Sequence, residues 1–294
     1  MAPVCDSLVA LAPATAGGRT IFAKNSDRPP DEYQVIEHRP ARHVDGPVRC
    51  TYIEVDAGRD VVGVTGSRPW WQWGFEHGLN DAGVAAGNET IFTTLDPRGA
   101  DPALLGMDLV RLGLERATTA AEWVDVVTEL LERYGQGGSG HRGVDRPYWS
   151  SFLVADPSSA FVLETSGRTW EVEAVDRTRA ISNRTTIPTF DAAHRHPRQP
   201  VERLVDPRWD ASRRVLAQEP VTVDAVMAHL RSHDGVDGWS VCMHVEGIEA
   251  TTASLVAELG TDDVTSHWLL GSPCQQRYRT LHRRVVPERG HVVR

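Results

Sequence analysis

A cysteine near the start of the chain and a polar segment about twenty residues later could together perform nucleophilic chemistry. Two apolar runs, Cys5 to Leu11 and Arg19 to Ala23, flank a segment rich in turn-forming residues, which predicts an antiparallel hairpin. Counting from the centre of that hairpin places Cys5 opposite Ser26. The thiol then lies beside the segment Lys24-Asn25-Ser26-Asp27-Arg28. A nearby cation lowers the pKa of a thiol, and the thiolate is the form that attacks carbonyl groups.

The same residues also have an ordinary structural interpretation. A lone cysteine often serves as a small, inert apolar residue, and Lys-Asn-Ser-Asp is typical of a solvated turn. Spacing alone therefore leaves both interpretations of Cys5 open.

Two longer segments favour the catalytic interpretation. Cys5-Asp6-Ser7 and Lys24 to Pro29, followed by Glu32-x-Gln34, resemble the opening of the C69 dipeptidase and secernin family of N-terminal nucleophile (Ntn) hydrolases. The most specific match runs from Arg68 to Glu89, where a Trp-rich Arg-Pro loop precedes Gly-x-Asn-x-x-Gly-Val and Gly-Asn-Glu. The resemblance extends from Cys5 to about Cys274.

The resemblance implies a fold that periodicity cannot show. Strands, two helices, more strands, two helices and strands again indicate an α+β protein. The resemblance to this family sharpens that expectation to a four-layer αββα sandwich with two antiparallel sheets. The whole chain, 1–294, is then one catalytic domain, with 1–4 as a short propeptide and 277–294 as a basic, frayed tail.

The resemblance also assigns roles to single residues. The residues it implies to be catalytic are Cys5, Lys24, Asp27, Asn88, Asn183 and Arg213. Loss of residues 1–4 would free the α-amine of Cys5, which would take the thiol proton, and Asp27 would orient both groups. Asn183, with Asn88 nearby, would donate a hydrogen bond to the oxyanion. Lys24 stands where an arginine is common, so a bidentate role there is in doubt.

Other residues are candidates for substrate binding. They are Arg28, Trp70, Trp71, Trp73 and Glu89. Three tryptophans within four positions fit neither a strand nor a helix period, so they indicate a pocket wall or a buried loop.

The predicted function is an amide hydrolase that acts through a thioester, most specifically a dipeptidase that cleaves small peptides. Two alternatives stay open: an acylase or acyltransferase of the same superfamily, and a non-catalytic, secernin-like binding protein.

Composition excludes several classes of partner. The net charge of −9 without a long basic run argues against nucleic acid, and no apolar run reaches the length of a membrane helix. Residues 1–4 lack the character of a signal peptide, and the cysteines lack a CxxC pair, so reduced thiols in the cytoplasm are expected. Assembly into a homo-oligomer remains open.

No metal or cofactor is expected from the motifs. His229 and His233 have the i, i+4 spacing of metal ligands, but the Glu of an H-E-x-x-H motif is missing after His229. Gly135 to Gly140 matches GxGxxG, yet it follows a helix instead of a strand, so a dinucleotide site is rejected.

The remaining elements are predicted from periodicity and turn signals. Helices are expected over 104–116, from a capping box at Thr119 to a stop at Gly135, over 211–218, and from Thr222. Strands are expected over 33–38, 48–55, 60–65, 84–89, 240–245 and 251–257, and 151–183 is expected to form an antiparallel meander.

Overall fold

Strands form most of the regular structure in the computed structural model, which describes residues 5–56, 59–199 and 201–286. The strands are β1 (Cys5–Ala10), β2 (Thr20–Arg28), β3 (Gln34–Arg39), β4 (Arg42–Val44), β5 (Val48–Arg49), β6 (Glu54–Val55), β7 (Arg59–Val61), β8 (Val64–Pro69), β9 (His77–Asn80), β10 (Ala85–Ile91), β11 (Trp149–Ala155), β12 (Ala160–Ser166), β13 (Thr169–Ala174), β14 (Thr178–Ile181), β15 (Gly235–Val236), β16 (Trp239–Ser240), β17 (His244–Val245), β18 (Glu249–Leu259), β19 (Asp263–Leu270) and β20 (Arg279–Arg284). The helices are α1 (Gly106–Arg116), α2 (Ala120–Tyr134), α3 (Pro188–His194), α4 (Val201–Leu204), α5 (Asp206–Leu216) and α6 (Val223–Leu230).

Two large antiparallel sheets organise these strands. The first has the order β14-β1-β2-β18-β19-β20, with β17 also paired to β18. The second has the order β13-β12-β11-β10-β9-β8-β3. The strand that carries Cys5 therefore lies inside the first sheet, between β14 and β2.

Three apolar cores hold four layers together. Side chains such as Val9, Phe22 and Leu153 fill the space between the two sheets. On the outer face of the second sheet, α1 and α2 bury residues such as Trp123. On the outer face of the first sheet, α5 and α6 bury residues such as Val226. The predicted α+β, four-layer αββα sandwich with two antiparallel sheets is confirmed.

The opening hairpin has the predicted register. Cys5 pairs with Ser26, and Ser7 pairs with Lys24. Thr119 caps α2 by accepting a hydrogen bond from the backbone of Glu122, at 3.1 Å. The helix ends before Gly135, which adopts φ 74°, so the GxGxxG segment does follow a helix.

Several predictions about strands are wrong. Residues 48–55 form the short β5–β6 hairpin instead of one strand. The single strands predicted over 60–65 and 240–245 are each divided in two, between β7 and β8 and between β16 and β17. The fourth strand of the expected meander, β14, leaves the second sheet and pairs with β1 in the first. The segment expected to be a frayed tail contains β20, which pairs with β19, while residues 287–294 lie outside the described part. Pairing partners depend on distant segments, which a local pattern does not reveal.

Across the described ranges, none of the helices combines the length and the apolar character needed to cross a membrane.

Candidate active site

Cys5 is held in place by an asparagine from the neighbouring strand end. Its backbone N–H donates to Asn183 Oδ1 at 2.8 Å, and the residue is only 5% exposed. Asn183 comes two residues after β14, whose register pairs Ser7 with Ile181. The crossover of β14 into the first sheet therefore delivers Asn183 to Cys5.

Lys24 reaches the thiol along the face that meets the second sheet. Because strand side chains alternate between faces and Cys5 pairs with Ser26, the side chains of Cys5, Ser7 and Lys24 share one face. Lys24 contacts the Cys5 side chain, and its Nζ lies 3.4 Å from Glu89 Oε1 on β10 of the second sheet. Ser7 Oγ donates to the same Glu89 oxygen. The structure thus brings Cys5, Lys24 and Glu89 together.

Asp27 lies on the opposite face of the first sheet. Its Oδ1 accepts a hydrogen bond from Thr251 Oγ1 at 2.6 Å, and its buried Oδ2 has no partner among the described residues. Burial, and then the charge of Asp6, raise the pKa of Asp27 well above its usual range. This pKa shift favours a protonated Asp27 carboxyl group. Asp27 directly follows Ser26, the residue that pairs with Cys5.

Arg208, and not Arg213, is the arginine that reaches the residues around Cys5. Arg213 is exposed on α5 and pairs with Asp210 at 3.2 Å. Arg208 is fully buried, and its guanidinium donates to Asp6 Oδ2 at 2.6 Å and to Asn183 Oδ1 at 3.1 Å. The expectation for Arg213 is therefore corrected, because five residues along a helix turn the side chain to a different face.

Burial dominates the thiol's acidity. It raises the pKa of Cys5 above its ordinary value, against the charge of Lys24, which lowers it. The carboxylates of Glu76, Asp27 and Glu89 raise it further. Lys24 therefore lowers the pKa of the thiol as expected, but burial outweighs this effect, so attack by the sulfur calls for a base that removes the proton.

Asn88 faces a tyrosine and a methionine. Its Nδ2 lies 3.5 Å from Met107 Sδ, and the Tyr148 hydroxyl, which contacts the Asn88 side chain, lies 2.9 Å from the same sulfur. Asn88 Oδ1 is buried without a partner among the described residues. Tyr148 lies close enough to Cys5 for the two to interact electrostatically, so Asn88 borders the thiol's surroundings.

Arg28 already has two carboxylate partners. Its Nε donates to Glu76 at 2.5 Å, and its Nη1 donates to Glu32 at 2.6 Å and to the carbonyl of Gly140 at 2.6 Å. These buried pairs neutralise its charge, which leaves it poorly suited to bind a substrate carboxylate. Its placement instead supports a structural role that connects β2 to the loop at Gly140.

The three tryptophans separate into different environments. Trp70 stacks on Tyr33, with ring centroids 6.0 Å apart, and Trp71 Nε1 donates to Glu32 at 3.0 Å. Trp73 packs under the guanidinium of Arg111 on α1, 4.1 Å from its ring centroid. None of the three lines the cleft described next.

A cleft opens beside Tyr148. Its volume is about 580 Å³, and its wall combines polar and charged groups with at least as much apolar surface. The residues of that wall are Phe92, Thr93, Thr94, Asp96, Pro97, Arg98, Asp145, Arg146, Pro147, Tyr148, His196 and Arg198. Phe92 and Thr93 directly follow β10, which carries Asn88 and Glu89, so the cleft adjoins the elements that surround Cys5.

Sequence reasoning missed several members of this cluster. His77 Nδ1 lies 2.9 Å from Ser26 Oγ, and burial, with the charge of Lys24, holds the His77 pKa well below its usual range. Glu76, Tyr148 and Arg208 were also missed. Glu76 and His77 belong to the segment that matches the family, which was the available signal, whereas nothing local marks Tyr148 or Arg208.

Comparisons with known proteins agree on the fold. The sequence matches no protein-family model. An N-acylethanolamine-hydrolyzing acid amidase ortholog from Caenorhabditis elegans matches with a TM-score of 0.52 and 12% identity, over 86% of this chain and 92% of that one. Two variants of conjugated bile acid hydrolase from Clostridium perfringens also match. One has a TM-score of 0.56 and 10% identity over 94% of this chain and 96% of that one. The other has 0.54 and 11% over 97% and 99%.

At such low identities the similarity establishes architecture and does not single out the C69 or secernin branch. The chain has the fold of the Ntn hydrolases.

Proposed function

We propose that this chain is a cysteine-nucleophile amide hydrolase. The observation that carries the proposal is the placement of Cys5 at the start of a central strand, with Lys24 against its thiol and Asn183 on its backbone nitrogen. The fold is shared with proteins described as an acid amidase and as bile acid hydrolases, which supports the same general reaction here.

The base in this proposal is the α-amine of Cys5. Residues 1–4 lie outside the described part of the chain, and their removal would convert the nitrogen that now donates to Asn183 into a free amine. A free α-amine has a pKa of about 7.7–8.0, which suits a base that acts near neutral pH. Once the Asp27 carboxyl group is ionised, for instance by the positive charge of a protonated α-amine nearby, its unpartnered Oδ2 is the candidate acceptor for the additional N–H groups.

The proposed reaction proceeds through a thioester on Cys5, and the α-amine carries the proton between the thiol and the leaving group. The amine takes the thiol proton, and the sulfur attacks the amide carbonyl to form a tetrahedral oxyanion. Lys24 stabilises the thiolate, and the side-chain N–H groups of Asn88 and Asn183 are the candidate donors to the oxyanion, although Asn183 Nδ2 donates to the Thr90 carbonyl at 3.0 Å before substrate binds. The amine gives its proton to the leaving nitrogen, a thioester remains, and water then hydrolyses it.

Within amide substrates, the proposal is a small peptide, which makes the enzyme a dipeptidase. The resemblance of Cys5 to Pro29 and of Arg68 to Glu89 supports this substrate class. The wall of the cleft beside Tyr148 also carries acidic and basic side chains, Asp145 and Arg198 among them, which offer partners for the two charged ends of a zwitterionic dipeptide.

The nucleophile is tested by Cys5→Ala against Cys50→Ala, a second buried cysteine in the core under α1 and α2. Cys5→Ala should reduce kcat by at least about 10³-fold with an unchanged circular dichroism spectrum, whereas Cys50→Ala keeps its activity. Intact mass should show an active chain that begins at Cys5. Activity retained by Cys5→Ala would refute the nucleophile.

Substrate class is tested by kcat/KM for dipeptides, an N-acylethanolamine and a conjugated bile acid. The proposal expects dipeptides to be preferred. Hydrolysis of only the other two would retain the amide hydrolase and reject the dipeptidase. Transfer of the acyl group to an added amine would indicate an acyltransferase, and dipeptide binding without turnover by the mature chain would indicate a binding protein.

A further inference from the structure

Four potential metal ligands meet at the end of the first sheet, on residues that the hydrolase chemistry does not use. They are His233, Cys242, His244 and Cys274, and their donor atoms all lie within 4.8 Å of one another. His244 Nε2 lies 3.4 Å from the Cys242 sulfur and 3.1 Å from the Cys274 sulfur. The rings of His233 and His244 meet edge to face, with centroids 5.1 Å apart.

Backbone hydrogen bonds bring these ligands together from three separate segments. Cys242 N donates to Ser232 O at 2.9 Å, which places Cys242 next to His233. His244 begins β17, which pairs with β18. Gly271 N donates to Thr252 O at 2.7 Å and thereby turns the chain after β19 back toward Cys274. The arrangement is therefore set by the fold and does not rely on flexible side chains alone.

We propose that these four residues bind a Zn²⁺ ion in a closed, tetrahedral Cys₂His₂ site. In such a site Zn–S bonds of about 2.3 Å and Zn–N bonds of about 2.0–2.1 Å separate neighbouring ligand atoms by roughly 3.3–3.8 Å. The separations here, from 3.1 Å up to 4.8 Å, bracket that range, so binding needs only small side-chain adjustments.

The ligand set indicates zinc in a structural role. Two thiolates with two imidazoles favour zinc over the hard cations Mg²⁺ and Ca²⁺, which prefer oxygen ligands. Four protein ligands leave no position for a catalytic water. The motif was missed in the sequence because its cysteines are 32 residues apart, and His233 was paired with His229 instead. His229 is buried on α6 and bonds Ser212 at 2.9 Å, while His233 lies beyond the end of that helix.

The site connects directly to the candidate active site. Met243 lies between two of the ligands, and its N–H donates to Thr251 Oγ1 at 2.8 Å. Thr251 Oγ1 in turn donates to Asp27 Oδ1 at 2.6 Å. Zinc would therefore hold the segment that positions Thr251 against Asp27. The metal site itself does not depend on the proposed function.

The site is tested on tag-free, full-length protein that is purified with a phosphine reductant. We expect about one zinc per chain by elemental mass spectrometry. Replacement of zinc by Co²⁺ should give the intense visible absorption of a tetrahedral ion together with thiolate-to-cobalt charge transfer at shorter wavelength. Removal of zinc with a chelator should lower Tm, and added Zn²⁺ should restore it.

Two variants and one control locate the ion. Cys274→Ser, at an exposed residue, and His244→Ala should each weaken Zn²⁺ binding at least about tenfold, as measured by competition with a chromogenic chelator. Cys50→Ser, in a distant core, should keep wild-type zinc content. The proposal would be overturned by zinc content near zero with no cobalt spectrum, or by equal Zn²⁺ binding in all variants. A Cys242–Cys274 disulfide that persists in protein purified with the reductant would also overturn it. Because the cobalt spectrum is recorded on the unaltered chain, a variant that fails to fold does not block the test.

Discussion

Burial controls protonation around Cys5 more strongly than neighbouring charges do. The thiol's pKa is raised by desolvation despite Lys24, and the pKa of Glu89 rises to about 7 from burial although Lys24 and Ser7 oppose the change. A buried group loses its interaction with water, which a single charged neighbour does not fully replace. Burial therefore favours the protonated forms of the Cys5 thiol and the Glu89 carboxyl group, so attack by Cys5 needs a base that removes the proton of its thiol.

Arg208 compensates the charge of Asp6 in a fully buried pair. Arg208→Met should lower the free energy of unfolding by about 3–5 kcal/mol, because it leaves the Asp6 carboxylate buried and unpaired. Arg213→Met, on the exposed side of α5, should change it by less than about 0.5 kcal/mol. Urea denaturation measures both values. Equal effects for the two variants would contradict the assignment of Arg208 to the cluster.

Glu249 provides a test of pH dependence. Burial raises its pKa to about 8, against Arg28, which lowers it. Between pH 4.5 and 8 the folded state keeps a proton that the unfolded state has lost, so this group makes stability fall as pH rises. Glu249→Gln removes that loss and should become more stable than wild type by roughly 2–4 kcal/mol at pH 9, with little difference at pH 5.

Denaturation of both proteins across that pH range gives the comparison. Glu246→Gln, three residues earlier and exposed, is the control and should follow wild type throughout. A Glu249→Gln variant that also follows wild type would show that this carboxyl group is ionised in the folded protein.

At the scale of elements, strand pairing assembles the site from both ends of the chain. β1 carries Cys5, β2 carries Lys24, β14 delivers Asn183, and β18 supplies Thr251. β10 reaches across from the second sheet with Glu89. The helices contribute mainly by covering the outer faces, apart from α5, which supplies Arg208.

Gly135 ends α2 in a backbone conformation that favours glycine, φ 74°, and an added Cβ would lie 3.2 Å from Arg168. Gly135→Ala should therefore lower Tm, with a loss of about 1 kcal/mol. Gly99→Ala, where a Cβ would meet nothing within 4 Å, should change stability by less than about 0.5 kcal/mol. Thermal unfolding of the pair decides whether this glycine has the conformational role assigned to it.

At the scale of the whole molecule, the first sheet ends in β20, which covers the edge of β19. Truncation after residue 278 removes β20 and exposes the backbone N–H and C=O groups of β19, so we expect a lower Tm and self-association in light scattering. Truncation after residue 286 keeps every described strand and serves as the control. Monodisperse behaviour of the shorter chain would contradict a protective role for β20.

The amino-acid pattern by itself determined the local elements and the central hairpin. Alternation and turn residues predicted Cys5 opposite Ser26, and periodicity with a capping threonine predicted α2, because these features depend on residues close together in the chain. Family resemblance extended this to the layers of the fold. Only the tertiary structure decided that β14 changes sheets, that Arg208 replaces Arg213, and that His233 meets Cys242, His244 and Cys274. Those contacts join residues far apart in sequence, and their energies arise from burial and pairing that exist only once the layers have packed.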